Sequence, residues 1–388
     1  MVIPVRPPKT GGRAVFRFHF VFFAVFAIVT MFPNRVFAVP SWARMTGMPC
    51  LSCHVGGTSK LTAYGRDFQM RGHRMKPDMK LTRFAQLDGY LTLAARFRQN
   101  ATEHSDGNTT LENASLFAGG PINSSLSFFT EYGGYIRTAS GPSPARFNDA
   151  YLQYTGNATA DRFWWVRAGR QYPFAIYAAG VGGRENLSRP RALSEKLGGF
   201  IPAAQRRTLG ISGGADLGNG LRFEGGVTDG GSNDDSFRTP DDYGSFVTLE
   251  KEWDAFGSGI DLYAESGWQK GGGASFRRTG ILARWVRSYE SLSGALLEAS
   301  GRPGSGLPIE RPTGAFVTYS RNLLAETTSF VRYDSLDNLR NATERTRGMA
   351  FGLSQRIPNR GRIVLEWNRA ISGRSNPNYF YIDTLLMY

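Results

Sequence analysis

The chain has 388 residues, a formal net charge of +14 and only two cysteines. Aromatic residues make up 13% of it, glycine occurs 47 times and only 20% of the residues are charged, which does not suit a helical globular enzyme and is typical of a chain of many strands. A basic chain could bind nucleic acid, but the export signal at its start argues against such a partner.

Residues 1–38 have the pattern of a long secretory signal. Four basic residues without an acid precede an apolar run, Val21–Phe32, and Val36-Phe37-Ala38 matches a small-x-small cleavage site. The run is short for a membrane span, although an uncleaved anchor is the alternative. Cleavage would leave a chain that starts at Val39 with a net charge of +9. No later segment has 18 consecutive apolar residues, so no membrane-spanning helix is expected after the signal.

The next feature is the pentapeptide Cys50-Leu51-Ser52-Cys53-His54, which contains both cysteines of the chain. Cys-x-x-Cys-His is the attachment signature of c-type haem. Cys50 and Cys53 would bind one covalent haem c, and His54 would ligate its iron. A structural disulfide or a redox dithiol is the alternative, but neither explains the adjacent histidine.

Residues 39–82 form the predicted monohaem cytochrome c segment, with a helix over about Leu61–Gly72. At 44 residues the segment is too short to enclose a haem alone, so the following barrel must complete the wall, and the segment is expected at or in its periplasmic mouth. The sixth iron ligand stays open between a residue supplied by the barrel, no ligand at all, and nearby side chains. These side chains are His73, Met70, Met75 and Met79, with Met45 and Met48 just upstream.

Residues 83–388 are predicted to form a transmembrane antiparallel β-barrel, so that the whole chain is mostly β. Apolar and charged residues alternate with period two, as in Ile260, Leu262 and Ala264 against Asp261 and Glu265. A face that carries unpaired charges cannot be a packed core, whereas a watery lumen would accept it. We count about sixteen strands. A soluble β-sandwich shows similar alternation and is the alternative.

The predicted connections alternate between short and long, and the short ones include Gly119–Ile122, Asn157–Asp161, Gly218–Gly220 and Pro358–Arg360. Short turns of outer-membrane barrels face the periplasm, which would place both the N- and the C-terminus there. The long connection 170–205 follows the fifth strand. It is interpreted either as a loop that lines a constriction in the lumen or as a surface loop packed on the rim. The sequence leaves the oligomeric state open.

Residues 38–72 carry a more specific signal. The run Ala38-Val-Pro-Ser-Trp-Ala-Arg-Met-Thr-Gly47, the haem motif and Leu61-Thr-Ala-Tyr-Gly-Arg-Asp-Phe68 resemble the fused monohaem cytochrome–porins of the bacterial outer membrane. The best-known members of that family oxidise ferrous iron outside the cell. The chain departs from the family pattern at Trp42, where the family has Phe, and at Met45, where it has Gln. It also lacks a proline within 55–60, and all three departures touch the surroundings of the haem.

The resemblance implies outer-membrane electron transfer, with electrons passing from an extracellular donor such as Fe(II) to a periplasmic c-type cytochrome or another carrier. The activity would be that of an iron:cytochrome c oxidoreductase, and one-electron transfer needs no catalytic acid, base or nucleophile. Two alternatives are electron export to an extracellular acceptor and an anion-preferring diffusion porin with a haem plug or redox-sensing segment. Outer-membrane lipid and lipopolysaccharide are expected partners of the basic barrel. An Fe(II) approach site or a solvated loop would explain the acidic cluster Asp229, Asp234, Asp235, Asp241 and Asp242.

Overall fold

A computed structural model gives the fold of the second of two units, 38–388; the first unit is 1–37. The predicted signal segment, Met45, Met75, Met79 and most of the acidic cluster lie outside the described residues. The structure describes residues 42, 48–56, 58, 60–74, 91–102, 109–138, 141–143, 145–157, 160–177, 188–198, 200–229, 242–269, 274–337, 345–357, 361–372 and 378–387.

Seventeen strands in the described residues form one antiparallel sheet that closes on itself, because β1 pairs with both β2 and β17. Both the three-residue β4 and β5 pair with the same side of β3, so they together fill one position in the wall. The barrel therefore has sixteen strand positions. The predicted barrel and its strand number are confirmed. The strands are β1 Leu91–Thr102, β2 Thr109–Pro121, β3 Leu126–Thr138, β4 Gly141–Ser143, β5 Arg146–Gly156, β6 Phe163–Gln171, β7 Thr208–Asp216, β8 Leu221–Thr228, β9 Asp242–Glu252, β10 Gly259–Gln269, β11 Ser275–Val286, β12 Glu290–Arg302, β13 Thr313–Leu324, β14 Thr327–Asp337, β15 Arg345–Ile357, β16 Gly361–Ser372 and β17 Tyr379–Met387.

The two faces of the wall are inverted relative to a water-soluble protein. On β10, Ile260 and Leu262 are 41% and 47% exposed, whereas Asp261 and Glu265 on the inner face are 1% and 9% exposed. The same alternation places apolar side chains outside and charged ones inside around the barrel. A soluble sandwich would bury the apolar face, so this distribution fits a barrel whose outer surface contacts lipid.

Most connections alternate in length, as the sequence predicts. Short turns join the strands at one end, called here the short-turn end, and mostly longer connections join them at the other, the long-connection end. The exception is 270–274 at the long-connection end, which is one residue shorter than the preceding turn, 253–258. The first short turn differs from the prediction at Gly119–Ile122, since β2 continues to Pro121. Gly119 pairs with Phe129 of β3, so it lies within the strand, and the position requires glycine because a Cβ would lie 2.7 Å from the Phe129 ring. The turn follows at Asn123, whose Oδ1 accepts hydrogen bonds from the backbone N–H groups of Ser125 and Leu126.

Four short helices complete the described structure, and none of them is long and apolar enough to cross a bilayer. The predicted helix over about Leu61–Gly72 is found as α2, Ala63–Met70. The others are α1 Cys50–Cys53, α3 Phe174–Ile176 and α4 Arg191–Ser194.

The connection between β6 and β7 folds into the barrel, as the lumen interpretation predicts. Its residues Ile176, Leu193, Leu197 and Ile201 are completely buried and belong to a cluster with inward-facing side chains of β9 to β14. Ser188 in the same connection donates hydrogen bonds to the Glu366 carboxylate on β16. The connection therefore reaches both the β9–β14 side and the β16 side of the wall.

Candidate functional site

The N-terminal segment 48–74 lies inside the barrel at the short-turn end. Lys60 Nζ donates a hydrogen bond to Ser291 Oγ of β12 over 2.9 Å, and Arg356 of β15 donates one to the backbone oxygen of Thr58 over 2.9 Å. On the opposite side, Arg74 donates to the backbone oxygens of the first short turn, at 2.7 and 2.8 Å. The segment is thus attached to widely separated parts of the wall, and all of these contacts are at or near the short turns.

The Cys-x-x-Cys-His turn is fixed against the start of α2. Thr62 caps this helix by accepting a hydrogen bond from the Gly65 N–H over 3.1 Å. The same threonine donates from its hydroxyl to the Ser52 carbonyl over 2.8 Å and from its N–H to the Cys53 carbonyl over 3.0 Å. A Cβ at position 65 would lie 2.3 Å from the Cys53 oxygen, so only glycine permits this close approach of α1 to α2. His54 follows directly and forms a β-bridge with Leu61.

Arg66 connects α2 to the wall through a buried charge network. It is 3% exposed and donates hydrogen bonds to Glu250 and, over 3.2 Å, to Glu252. Burial and the nearby guanidinium of Arg284 lower the pKa of Arg66, while the surrounding carboxylates favour its charge. Since an arginine remains charged under ordinary conditions, the pair is a buried salt bridge. The network contains three arginines, Arg66, Arg222 and Arg284, and four acids, Asp216, Glu250, Glu252 and Asp261.

His73 occupies an apolar cage just after α2. Its ring is 1% exposed, stacks on Trp42 with centroids 4.4 Å apart, and lies 5.8 Å from Phe68 and 5.6 Å from Phe129. Neither ring nitrogen has a hydrogen-bond partner among the described residues. Burial, together with the positive charges of Arg167 and Arg74, lowers the pKa of His73 to about 3, so the imidazole is neutral.

The backbone of His73 is also unusual. Its φ is +60°, in the left-handed region that side chains other than glycine occupy at a cost of about 1 kcal/mol or more. Leaving buried ring nitrogens unsatisfied costs roughly 1–3 kcal/mol for each. His73 thus has both a strained backbone and unsatisfied ring nitrogens. Because its imidazole is also neutral, it is a good candidate for a metal ligand.

The methionine candidates have other surroundings. Met70 is buried at 3% exposure and packs with Phe163, Trp165 and Phe174, which belong to β6 and the inserted connection. Met48 accepts a hydrogen bond from the Tyr64 hydroxyl at 3.3 Å. Among the candidates for a sixth ligand that the structure describes, Met70 packs in an apolar cluster and Met48 accepts from Tyr64, whereas both ring nitrogens of His73 lack a hydrogen-bond partner among the described residues.

Acidic residues of the lumen are engaged in structural contacts. Asp261 accepts from Arg284 over 2.6 Å, Glu265 accepts from Arg206 and Arg278, and Glu224 accepts from the backbone N–H of Phe174 over 2.8 Å. Within the described residues no group of three or more His, Cys, Asp and Glu side chains has metal-site geometry. Asp234, Asp235 and Asp241 and the side chain of Asp242 lie outside that part of the chain.

Sequence reasoning missed the role of Arg66. An arginine in a segment expected inside a barrel needs a carboxylate partner on the wall. This requirement could have identified Arg66 as a residue that anchors the segment. The partners Glu250 and Glu252 could not have been chosen in this way, because they lie more than 180 residues away and inward-facing acids recur on many strands.

Solved outer-membrane porins have the same fold. OmpF of Salmonella typhi, in a complex with daunomycin, matches with a TM-score of 0.56 and 14% identity over 77% of this chain and 97% of its own. A loop-deletion form of OmpT of Vibrio cholerae matches with a TM-score of 0.58 and 10% identity over 77% and 98%. An anion-selective porin from Comamonas acidovorans matches with a TM-score of 0.54 and 12% identity over 77% and 98%. No protein-family profile and no curated protein sequence matches the chain. At these identities the likeness establishes the fold.

Proposed function

We propose that this protein is an outer-membrane barrel that carries one covalent haem c at its short-turn end and transfers electrons across the membrane. The observation that supports this most strongly is the Cys-x-x-Cys-His turn held inside a porin-like barrel. The same barrel wall anchors the segment through Arg66, Lys60 and Arg74.

The residues present fit a haem. Cys50 and Cys53 would hold it through thioether bonds, His54 would ligate the iron on one side, and His73 would be the ligand on the other. When bound, the haem supplies a one-electron redox centre. His73 fits this role because its buried imidazole is neutral and its nitrogens lack partners among the described residues. The aromatic cage and the barrel wall would exclude bulk water from the site.

The resemblance of residues 38–72 supports Fe(II) as the donor and a periplasmic c-type cytochrome as the acceptor. In this arrangement the short-turn end, with both termini, faces the periplasm, and the long connections face outside. Fe(II) would approach from the outside, where the connection with Asp234, Asp235, Asp241 and Asp242 supplies carboxylate oxygens. The reverse direction, electron export to an extracellular acceptor, uses the same site and differs in the required redox potential.

A second candidate is an anion-preferring diffusion porin in which the N-terminal segment is a plug or redox sensor. The fold it shares with the anion-selective porin of Comamonas acidovorans favours this candidate, as does the net charge of +9 that the chain would keep after cleavage of the predicted signal. It predicts solute flux through the barrel, whereas the electron-transfer proposal predicts reduction of the bound cofactor by the donor.

The test begins with the full-length protein expressed together with a cytochrome c maturation system. A haem-stained band that survives denaturing electrophoresis in the wild type, and is absent in Cys50→Ala/Cys53→Ala, supports covalent attachment. Equal staining of both proteins contradicts it. His73→Met should keep the attached haem but change its spectrum from a bis-histidine to a histidine–methionine type. An unchanged spectrum rules out His73 as the ligand.

Function is then tested with the haem-loaded protein in liposomes. Rapid reduction on anoxic mixing with Fe²⁺, without uptake of small anions, supports electron transfer. Anion uptake without reduction supports the porin candidate. A measured midpoint potential well below that of the Fe(II) donor would favour electron export instead.

A further inference from the structure

The outer surface of the barrel has an arginine-lined groove near the long-connection end. The groove has a volume of 680 Å³ and lies across β8 to β12. Arg277 and Arg302 line it, and both side chains are exposed. Within the described residues neither guanidinium forms an ion pair with a carboxylate. Ile309, in the connection after β12, lines the groove at its upper edge.

The strand register shows that the groove is made of outward-facing rows. In one row, Ser245 pairs with Ser266, Ser266 with Arg277, and Arg277 with Ser300. Two residues further towards the long connections, the row consists of Tyr243, Trp268, Ser275 and Arg302. Adjacent rows are about 7 Å apart along the strands. The three serines are small, so they leave the space beside Arg277 that the groove occupies.

Below the serine row the surface becomes apolar. Leu249, Leu262, Ile281 and Leu296 form a continuous outward row, each at least 45% exposed. The row between them contains Glu298, which faces outward one step below Arg277 and is the nearest acid in the register. The aromatic pair above, Tyr243 and Trp268, has ring centroids 5.3 Å apart and matches the aromatic girdle at a membrane interface.

The groove therefore has two chemically different parts. Arginines and serine hydroxyls lie at the level of the aromatic girdle, where lipid headgroups lie, and leucine and isoleucine side chains lie below, where acyl chains lie. An arginine that faces lipid without an anion is unfavourable, and a phosphate accepts several hydrogen bonds from guanidinium groups. Together the two parts complement a phosphorylated lipid, with the arginines matching its phosphate and the apolar row matching its acyl chains.

We propose that this groove binds a phosphorylated glycolipid of the outer leaflet, with a phosphate group on Arg277 and Arg302. The hydroxyls of Ser245, Ser266 and Ser300 face the sugar part, and the acyl chains lie along the apolar row below. The inference rests on the proposed outer-membrane location and is independent of the haem. The cysteine variants that lack haem should therefore bind the glycolipid as well as wild type.

The test uses full-length protein in detergent and native mass spectrometry with bisphosphorylated lipid A. Wild type should bind it at one copy per chain, and Arg277→Gln/Arg302→Gln should bind about thirtyfold more weakly, because two arginines near a membrane surface are lost. Arg277→Lys/Arg302→Lys keeps both charges and should stay within a few-fold of wild type. Arg321→Gln is the matched control, an exposed arginine near the other end of the outer face.

Dephosphorylated lipid A should bind wild type as weakly as the glutamine variant binds the phosphorylated form. Equal binding of the two lipids, or equal weakening by Arg321→Gln, would overturn the proposal. The proposal would also be overturned if the wild type has the mass of a dimer and Arg277→Gln/Arg302→Gln has the mass of a monomer, because the groove would then be covered by a second chain. A heat-dependent shift on gel electrophoresis shows that each variant is folded, and the lysine pair provides the comparison if the glutamine pair does not fold.

Discussion

Replacement of Arg66 by methionine should loosen the N-terminal segment from the barrel wall. Methionine has a similar length but no charge, so the change removes the hydrogen bonds to Glu250 and Glu252 and leaves the packing largely in place. The remaining contacts of the segment, such as Lys60 with Ser291, are unaffected. The segment should therefore stay folded and open more often.

The magnitude follows from the network. Breaking a buried ion pair by removing one partner costs about 3–5 kcal/mol. Here Glu250 still accepts from Arg284 over 2.7 Å and lies 3.3 Å from Arg222, so we take the lower end, about 3 kcal/mol. This corresponds to a change in the opening equilibrium of roughly 150-fold.

Hydrogen exchange of the backbone amides of α2, Ala63–Met70, measures this opening directly. We expect their exchange to accelerate roughly 150-fold in Arg66→Met, with little change in the barrel strands. Arg287→Met is the matched control, because it removes the arginine–carboxylate pair with Asp254 at the same end, but with the Arg287 side chain 49% exposed. An exposed pair contributes less than about 1 kcal/mol. Unchanged exchange in α2, or equal acceleration in Arg287→Met, would refute the reasoning.

Three further substitutions test other contacts. Gly65→Val places side-chain atoms against the Cys53 carbonyl, which is 2.3 Å from the Cβ position, and should lower the amount of covalently attached haem per chain, measured from haem absorbance. Gly72→Ala should reduce the free energy of unfolding in urea by roughly 1–3 kcal/mol, because φ is +72° and a Cβ would lie 2.3 Å from Ser127 Oγ. Leu193→Asp buries an unpaired charge at a fully buried position of the inserted connection and should raise single-channel conductance in planar bilayers by displacing it from the wall.

Each of these variants has a matched control. Gly225→Val is the control for Gly65→Val, since the nearest atom to the Cβ position of Gly225 is 3.5 Å away. Gly306→Ala isolates the cost of a positive φ, because φ is +76° and nothing lies within 4 Å. Leu217→Asp places the charge at a residue that is 45% exposed in a short turn. If a control variant changes its measured quantity as much as its partner, the corresponding contact is not the cause.

The alternation of residues such as Ile260 and Asp261 favoured a barrel, although a soluble β-sandwich with similar alternation remained the alternative until the structure showed the exposed apolar face. Period two along each strand sets which side chains share a face, and a charged face opposite an apolar one leaves few environments that satisfy both. The spacing of the predicted strands also indicated two further features, the alternation of short and long connections and about sixteen strands in the wall. The local motif Cys50–His54 needs no tertiary information, because its members are adjacent in the chain.

The placement of turns depends on contacts between neighbouring strands. The short connection predicted at Gly119–Ile122 was wrong in its bounds, because Gly119 pairs with Phe129 and Pro121 with Ser127 across β2 and β3. The side chain of Asn123 then organises the turn a few residues later. Glycine is compatible with both outcomes, and only the cross-strand neighbour decides between them.

By itself, then, the sequence determined the quantities that repeat along the chain or lie within a few residues: the strand period, the connection lengths and the haem motif. The tertiary structure decided what depends on distant partners. It brought Arg66 to Glu250, folded the connection with Leu193 into the lumen and enclosed His73 among aromatic rings. The physical reason is that backbone geometry sets the local periodicity. The energy of a buried charge or an unsatisfied imidazole depends instead on surrounding groups, and only the closed barrel brings those groups near.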